Sequence, residues 1–256
     1  MATTTDPPLL LYDLLSSLQP PQWSPHTLRT RLLLNYLNIP FRTEFLSYPD
    51  IEPTLADLGL EGVEPVGGWE RGPGWTVPVL LVPGGEGEGE AVSGTWGILG
   101  WVQKHWPEKA TMLGDLEMAK AIGQKIFEEV ITPARTVIWP VLPHILDERG
   151  QVYFRQSRQR WLGKDIESLL APVEEQERIW AELRTTLRGL QPSGGERFLG
   201  GDGGPGYADF ILVACLGWIK AVCPADWARI MAKDQDEGAE VSWLRSVWDG
   251  CEKWMV

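Results

Sequence analysis

The chain has 256 residues, 43% of them hydrophobic and 23% charged, which is the composition of a globular protein that can bury a full core. Its formal net charge of -12, without any Lys- or Arg-rich run, argues against nucleic acid as a partner. The scattered cysteines Cys215, Cys223 and Cys251 favour buried thiols over disulfides, and no stretch resembles a signal peptide or a membrane span. We therefore expect a cytoplasmic protein.

The first 108 residues predict strands that alternate with helices. Four apolar runs predict strands, at residues 9–15, 41–48, 75–82 and 91–94. Ser24 and Pro25 begin an amphipathic helix that Pro40 closes, and shorter helical patterns follow the second and fourth strands. A turn-rich stretch at 61–74 and an acidic tip at 84–90 interrupt this pattern. The order of elements fits a thioredoxin-like unit.

From residue 109 onward the sequence predicts helices alone. Helical periodicity covers residues 115–132, 133–147 with interrupting prolines, 164–190, 207–222 and 240–255. Gly201, Gly203 and Gly206 have the spacing of a dinucleotide-binding loop, but no strand long enough precedes them. We interpret them as a turn that leads into a helix. The three histidines are isolated from other metal-binding side chains, so the sequence predicts no metal site.

Pro78 stands at the head of the third strand, although proline cannot donate to a strand ladder. Two arrangements fit the sequence. A cis Val77–Pro78 bond would leave the backbone groups of Val77 facing outward, where an extended peptide can pair with them. A trans proline on an edge strand is the other arrangement.

Several stretches of the chain are characteristic in combination, namely "YDL" (12–14), "WSPHTLRTRLLLNYLNIPFRTEFLSYPDI" (23–51), "TVPVL" (76–80), "YFRQSRQRWLG" (153–163) and "FLGGDGGPGYADF" (198–210). With these the chain resembles the glutathione transferases, more narrowly the fungal class related to bacterial lignin β-etherases. The resemblance implies an α/β thioredoxin-like N-terminal domain at 1–108 that binds glutathione. It also implies an all-α C-terminal domain at 109–256 that shapes a hydrophobic substrate site, commonly in homodimers.

The resemblance assigns roles to several residues at the proposed glutathione site. Val77 and Pro78 match the pair whose backbone holds the glutathione cysteine, and Thr95 matches the hydroxyl that binds the γ-glutamyl carboxylate. Ser24 matches the hydroxyl that assists the thiolate. A hydroxyl and free N–H groups at a helix N-terminus favour an anion, which supports that catalytic role. Ser24 followed by Pro25 is also a good helix cap, so both interpretations stay open.

The chain departs from the family pattern at two helix starts. Gly94 stands where an acid usually helps to hold the amino group of glutathione. A shift of one residue in the match would place Ser93 at the hydroxyl position, and the acid would still be missing. Glu90 or a neighbouring subunit is a candidate replacement. In the second departure, Gly206 stands where a serine usually caps the late helix.

The resemblance implies attack of the glutathione thiolate on an apolar aromatic electrophile, which gives a conjugate or cleaves an aryl ether or thioether. We expect the substrate site to be lined by Tyr12, Trp23, Ile122, Ile126, Trp139 and Tyr153. Because Gly94 lacks a carboxylate, two alternatives stay open. One is a glutathione-independent isomerase or cyclase of fungal secondary metabolism, and the other is a non-catalytic carrier of small aromatic ligands.

Overall fold

The computed structural model describes residues 8–62, 74–84, 89–201, 203–233 and 241–256. Four strands form one mixed sheet in the order β2-β1-β3-β4, with β1 at Leu9–Leu14, β2 at Phe41–Leu46, β3 at Val79–Val82 and β4 at Glu90–Ser93. Strand β1 is parallel to β2 and antiparallel to β3, and β4 is antiparallel to β3. Most of the predicted turn-rich stretch and acidic tip lies outside the described residues.

Three helices accompany this sheet: α1 (Pro25–Tyr36), α2 (Ile51–Asp57) and α3 (Thr95–His105). Every residue of α1 from 27 to 34 is buried, so the helix carries two arginines, Arg29 and Arg31, into the interior. Arg31 Nη2 lies 3.2 Å from a carboxylate oxygen of Asp13 on β1 and donates to Thr43 on β2. This ion pair ties α1 to the two parallel strands. The thioredoxin-like arrangement predicted from the sequence is confirmed.

The remainder of the described chain is helical, with α4 at Pro107–Ala110, α5 at Leu116–Ile126, α6 at Thr132–Ile138, α7 at Glu148–Leu162, α8 at Val173–Arg188, α9 at Tyr207–Val222, α10 at Pro224–Met231 and α11 at Trp243–Cys251. Helix α9 is buried at every residue from 207 to 219, so it forms the centre around which the others pack. Among the described helices, none has the length and apolarity needed to cross a bilayer.

The predicted helical stretches differ from the observed helices where prolines remove backbone donors. A five-residue π-helical segment, Phe127–Ile131, separates α5 from α6 just before Pro133. The predicted stretch at 164–190 is divided at Pro172, after which α8 begins. Helices α7 and α10 were not predicted as separate elements. Helix α7 is rich in charged and polar side chains, which obscures its apolar face.

Gly206, one of the two family departures, is explained by a close backbone approach. A Cβ atom at this position would lie 2.8 Å from the carbonyl oxygen of Leu113. The cap is kept because Asp209 accepts hydrogen bonds from the amides of Gly206 and Leu199, each at 2.9 Å. A serine Cβ atom would therefore clash with the Leu113 carbonyl unless the backbone shifted. The carboxylate of Asp209 still caps the start of α9.

Candidate functional site

Two adjoining cavities share the first turn of α1. The first, of about 180 Å³, we name the aromatic cavity; its wall includes Trp23, Tyr48, Val77, Trp139, Tyr153 and Phe154. The second, of about 800 Å³, we name the α3 cavity; its wall includes Arg29, Thr95, Trp96, Gln124, Ile126 and Glu128. Pro25, His26 and Ile131 belong to both walls. The two cavities therefore lie next to each other at the N-terminus of α1.

Ser24 occupies the N-cap position of α1 and lines the aromatic cavity. Its backbone has φ -69° and ψ 131°, as a cap residue should, yet its side chain makes no capping hydrogen bond. No hydrogen bond of the Ser24 hydroxyl to another described residue is present. The hydroxyl is therefore available to a ligand at the positive end of α1.

The Val77–Pro78 peptide bond is cis, the first of the two arrangements that the sequence allowed. Val77 lines the aromatic cavity, and its carbonyl oxygen accepts a hydrogen bond of 3.2 Å from the Thr76 hydroxyl. Its N–H group has no hydrogen bond to any other residue that the structure describes. The Pro78 carbonyl accepts from the Gly94 amide at 2.9 Å, which places the end of β4 beside the start of β3.

The structure brings only part of the predicted substrate site together. Three of its members lie in the aromatic cavity with Ser24 and Val77, namely Trp23, Trp139 and Tyr153. Ile126 lines the other cavity, beside Thr95. Tyr12 lies in the core on β1, and Ile122 packs against the core from α5; neither lines either cavity.

Thr95 begins α3, and its side chain accepts a hydrogen bond from Arg29. The Arg29 guanidinium carbon also lies 5.1 Å from the ring centre of Trp96 and 5.6 Å from that of Tyr207. Arg29 is 8% exposed, its Nε has no hydrogen-bond partner among the described residues, and burial lowers its pKa. No described carboxylate lies within ion-pair distance. A buried cation in this state favours an anionic ligand.

The acid missing at Gly94 is not supplied by the neighbouring strand. Gly94 has φ 75° and ψ 155°, a conformation almost restricted to glycine. Glu90, at the other end of β4, accepts a hydrogen bond from Trp101 and lines neither cavity, while Ser93 pairs with Val79 in the sheet. Within the described lining of the α3 cavity the single carboxylate is that of Glu128, which accepts a hydrogen bond from Gln124.

His26 lies where the two cavities meet. Desolvation in the cleft, together with the positive charges of Arg29 and Arg135, lowers the pKa of His26 to about 4. His26 is itself exposed in the cleft and lines both cavities. With this pKa it is neutral at pH 7, and the cationic side chains of the two walls are Arg29, Lys120, Arg135 and Arg158.

The arginines in the two cavities were not predicted as site residues. Arg29 follows Pro25 by four residues, which places both on one face of α1, and Arg158 follows Phe154 at the same spacing on α7. That spacing was the available signal. It carried no weight because arginine at a helical position is ordinarily a solvated residue.

The sheet order, the cis proline before β3 and the helical second part define a thioredoxin-like domain joined to an all-helical one. The family model described as glutathione S-transferase, N-terminal domain, matches residues 23–105. The model described as glutathione S-transferase, C-terminal domain, matches residues 118–254, more than half of the chain. The chain therefore belongs to the glutathione S-transferase family.

Individual relatives agree with this assignment. The glutathione S-transferase-like protein ustS of Aspergillus flavus is 28% identical, over 100% of this chain and 94% of its own length. A glutathione S-transferase of Ceriporiopsis subvermispora, solved in complex with glutathione, has a TM-score of 0.79 at 24% identity, with 98% of each chain covered. Glutathione transferase GSTFuA3 of Phanerochaete chrysosporium has a TM-score of 0.80 at 22% identity, with the same coverage. At these identities the structural likeness supports the fold.

Proposed function

We propose that this chain is a glutathione transferase-like enzyme that binds glutathione across the first turn of α1. The cysteine lies against the Val77 backbone with its sulfur beside Ser24, and the γ-glutamyl carboxylate lies at Thr95 and Arg29. The observation that carries this proposal is the Ser24 hydroxyl, which sits at a helix N-terminus without a capping bond and faces the aromatic cavity. The relative from Ceriporiopsis subvermispora was solved with glutathione, which supports the choice of ligand.

The chemistry begins with the glutathione thiolate. The Ser24 hydroxyl donates a hydrogen bond to the sulfur, and the helix end adds a partial positive charge. Together they lower the thiol pKa by about one unit, which raises the thiolate fraction at pH 7 roughly tenfold. The sulfur attacks an electrophilic carbon of an aromatic substrate. A carbon–sulfur bond forms while the bond to the leaving group breaks, which yields a conjugate or cleaves an ether or thioether.

Arg29 and Glu128 offset the acid that is missing at Gly94. The guanidinium of Arg29 adds a charge-assisted hydrogen bond to the γ-glutamyl carboxylate, beside the Thr95 hydroxyl. Glu128 supplies a carboxylate to the same cavity, where it receives the amino group. The wall of the α3 cavity thus carries the cations Arg29 and Lys120 and the carboxylate Glu128, so both charges of the γ-glutamyl end have a counter-charge there.

Calorimetric titration with glutathione tests this proposal. We expect binding at or below millimolar concentration, and Thr95→Ala should weaken it by about ten- to a hundredfold because a charge-assisted hydrogen bond to the γ-glutamyl carboxylate is lost. Thr111→Ala is the matched control, since its hydroxyl bonds only the nearby Glu108 carbonyl and lies outside both cavities. Absence of heat up to 10 mM glutathione, or an equal effect of both substitutions, contradicts the proposal.

Gly94 favours a second candidate, in which the peptide site has decayed and the chain acts without glutathione as an isomerase or cyclase, or as a carrier. The two are separated by turnover. An enzyme of either kind converts its substrate, and only the transferase stops when glutathione is removed by gel filtration. A carrier binds aromatic ligands and converts none of them in either condition.

The homodimer implied by the family also has support in the surface near the α3 cavity. Trp96 and Phe127 both line that cavity and are 39% and 37% exposed, so two large aromatic side chains of one cavity wall lie on an open surface. We propose that a second copy covers them. Sedimentation velocity should show a dimer that Trp96→Glu dissociates, and a wild-type monomer at micromolar concentration contradicts this part of the proposal.

A further inference from the structure

The wall of the aromatic cavity contains two guanidinium groups, those of Arg135 on α6 and Arg158 on α7. Within the described lining the single carboxylate is Glu52, on the exposed first turn of α2. A cavity that serves only for apolar molecules has no need of two arginines, because each costs free energy to desolvate. The positive charge of this wall therefore indicates a ligand with a negatively charged group.

Arg158 is held among aromatic rings and away from acids. Its guanidinium carbon lies 3.9 Å from the ring centre of Phe154 and 4.4 Å from that of Trp161. Its polar contacts are neutral: Nη1 donates to Ser157 Oγ at 2.9 Å, and the group also bonds the Tyr48 hydroxyl. The side chain is 8% exposed, and its Nε has no acceptor among the described residues. Among the residues that the structure describes, this cation has no anionic partner.

Other arginines of the same helix do find carboxylates. Arg149 binds Asp50 at 2.6 Å, and Arg155 binds Glu167 at 2.6 Å, both at the protein surface. The chain has more acids than bases, so lack of carboxylates does not explain the state of Arg158. Arg158 is the buried arginine of α7, and it has no carboxylate partner among the described residues.

A second unpartnered donor lies in the wall of the same cavity. The indole Nε1 of Trp23 is buried and has no hydrogen-bond partner among the described residues. Buried donors are nearly always satisfied in native proteins, by protein or by bound molecules. Two such donors in one cavity point to a ligand that accepts hydrogen bonds.

The two guanidiniums also repel each other. Burial, followed by the charge of Arg158, lowers the pKa of Arg135 to about 10, so Arg135 remains cationic at pH 7. Burial likewise lowers the pKa of Arg158. An anion bound between them would relieve this repulsion and would replace part of the lost hydration.

We propose that the second substrate is a flat aromatic molecule that bears a carboxylate, and that Arg158, with Arg135, binds this carboxylate. The planar guanidinium matches a carboxylate in two parallel hydrogen bonds, and the rings of Tyr48, Trp139 and Tyr153 pack against the apolar body. This inference deepens the proposed function, because it takes the aromatic cavity as the place of the electrophile. It does not depend on whether glutathione is used.

Calorimetry with trans-cinnamate and its neutral analogue cinnamamide, in the absence of glutathione, tests the inference. The two probes have nearly the same shape and differ in the charge. We expect cinnamate to bind the wild-type chain about ten- to a hundredfold more tightly, as charge-assisted hydrogen bonds require. Arg158→Gln should reduce this preference to about twofold or less, and Arg158→Lys should retain part of it because the charge stays.

The controls keep the result specific to the cavity. Arg160→Gln removes an exposed arginine of the same helix and should leave the preference unchanged. If Arg158→Gln does not fold, as judged by its thermal transition, Arg135→Gln takes its place and should also reduce the preference. Four outcomes overturn the inference. The wild-type chain binds the two probes with equal affinity, or it binds neither of them up to 20 mM. The preference for cinnamate survives in every folded cavity variant, or Arg160→Gln loses it to the same extent. Failure of glutathione to bind would overturn only the proposed function.

Discussion

Two arginines of one helix, two residues apart, have opposite surroundings. Arg31 and Arg29 are almost equally buried, at 6% and 8% exposure. Arg31 faces the sheet, where its Nη2 atom lies 3.2 Å from a carboxylate oxygen of Asp13. Arg29 faces the α3 cavity, where its polar partner is the neutral hydroxyl of Thr95. Both side chains carry the same charge into the interior, and within the described part of the chain only Arg31 has a carboxylate partner.

The difference separates a structural cation from a binding cation. A buried pair adds little to stability compared with an apolar pair, but removal of one partner is strongly destabilising. A buried cation without an acid has the reverse behaviour, since its removal costs the fold little and costs an anionic ligand much. Substitution at the Asp13–Arg31 pair should therefore lower stability, and substitution of Arg29 should lower the affinity for an anionic ligand.

The largest effect is expected at Asp13. Asp13→Ala leaves the Arg31 guanidinium buried without a carboxylate, so the free energy of unfolding should fall by about 3–5 kcal/mol. Urea denaturation measures the change. The double variant Asp13→Leu with Arg31→Met should recover most of the loss. If Asp13→Ala costs under 1 kcal/mol, the pair is not the anchor of α1 to the sheet.

At Arg29 a smaller effect is expected, and it should fall on glutathione affinity rather than on stability. Arg29→Met should change the free energy of unfolding by about 1 kcal/mol or less, because no ion pair is lost. Glutathione affinity should fall about ten- to a hundredfold, as one charge-assisted hydrogen bond is removed. Urea denaturation and calorimetry on the same preparation give both values. A large loss of stability with unchanged glutathione binding would reverse the assignment of the two arginines.

Ser24, at the N-terminus of the same helix, allows the same comparison of stability with ligand chemistry. Ser24→Ala should leave stability within about 0.5 kcal/mol, since no capping bond exists to be lost. The pKa of bound glutathione, followed by thiolate absorbance in the ultraviolet, should rise by about one unit. Turnover below that pKa should fall in proportion. A drop in stability of 1–2 kcal/mol with an unchanged thiol pKa would mean that the hydroxyl is a cap.

The smallest effect uses His26 as a reporter of Arg29. The pKa of His26 is about 4 in the folded chain and has its ordinary value of 6.5 in the unfolded chain. As the pH falls, His26 therefore binds a proton in the unfolded chain before it does so in the folded chain. Stability should therefore fall as the pH falls from about 6.5 to 4. Arg29→Met removes one positive neighbour, so the His26 pKa should rise by up to about one unit while desolvation keeps it below 6.5. NMR titration of the imidazole measures this shift, and the paired change at Asp13 and Arg31 should not produce it.

The sequence predicted the parts of the fold that depend on local pattern. Apolar runs located all four strands within a few residues, and the Ser24–Pro25 start of α1 and the Thr95 start of α3 were placed correctly. These features follow from side-chain periodicity and from the backbone limits of proline. The π-helical segment at 127–131 was not predicted, because the prolines of this stretch indicate where a helix is interrupted and not how its last turn before Pro133 is wound.

Positions at the site follow from local sequence, whereas environments do not. The N-cap position of Ser24 can be inferred from Pro25 beside it, while the bond before Pro78 stayed open between cis and trans until the structure showed it to be cis. The exposure of a charged side chain cannot be inferred from neighbouring residues, so Arg29 and Arg158 resembled ordinary surface arginines. Tyr12 illustrates the converse, since an aromatic residue near the motif packs into the core between β2 and β3.

The backbone at Gly94 has an evolutionary consequence. In its φ of 75° and ψ of 155°, any other residue would be strained by about 1–3 kcal/mol. An aspartate at that position would thus be selected against before it could improve binding, unless the preceding turn had already changed. An acid at this position therefore requires two coordinated changes, one in the backbone of the turn and one in the side chain.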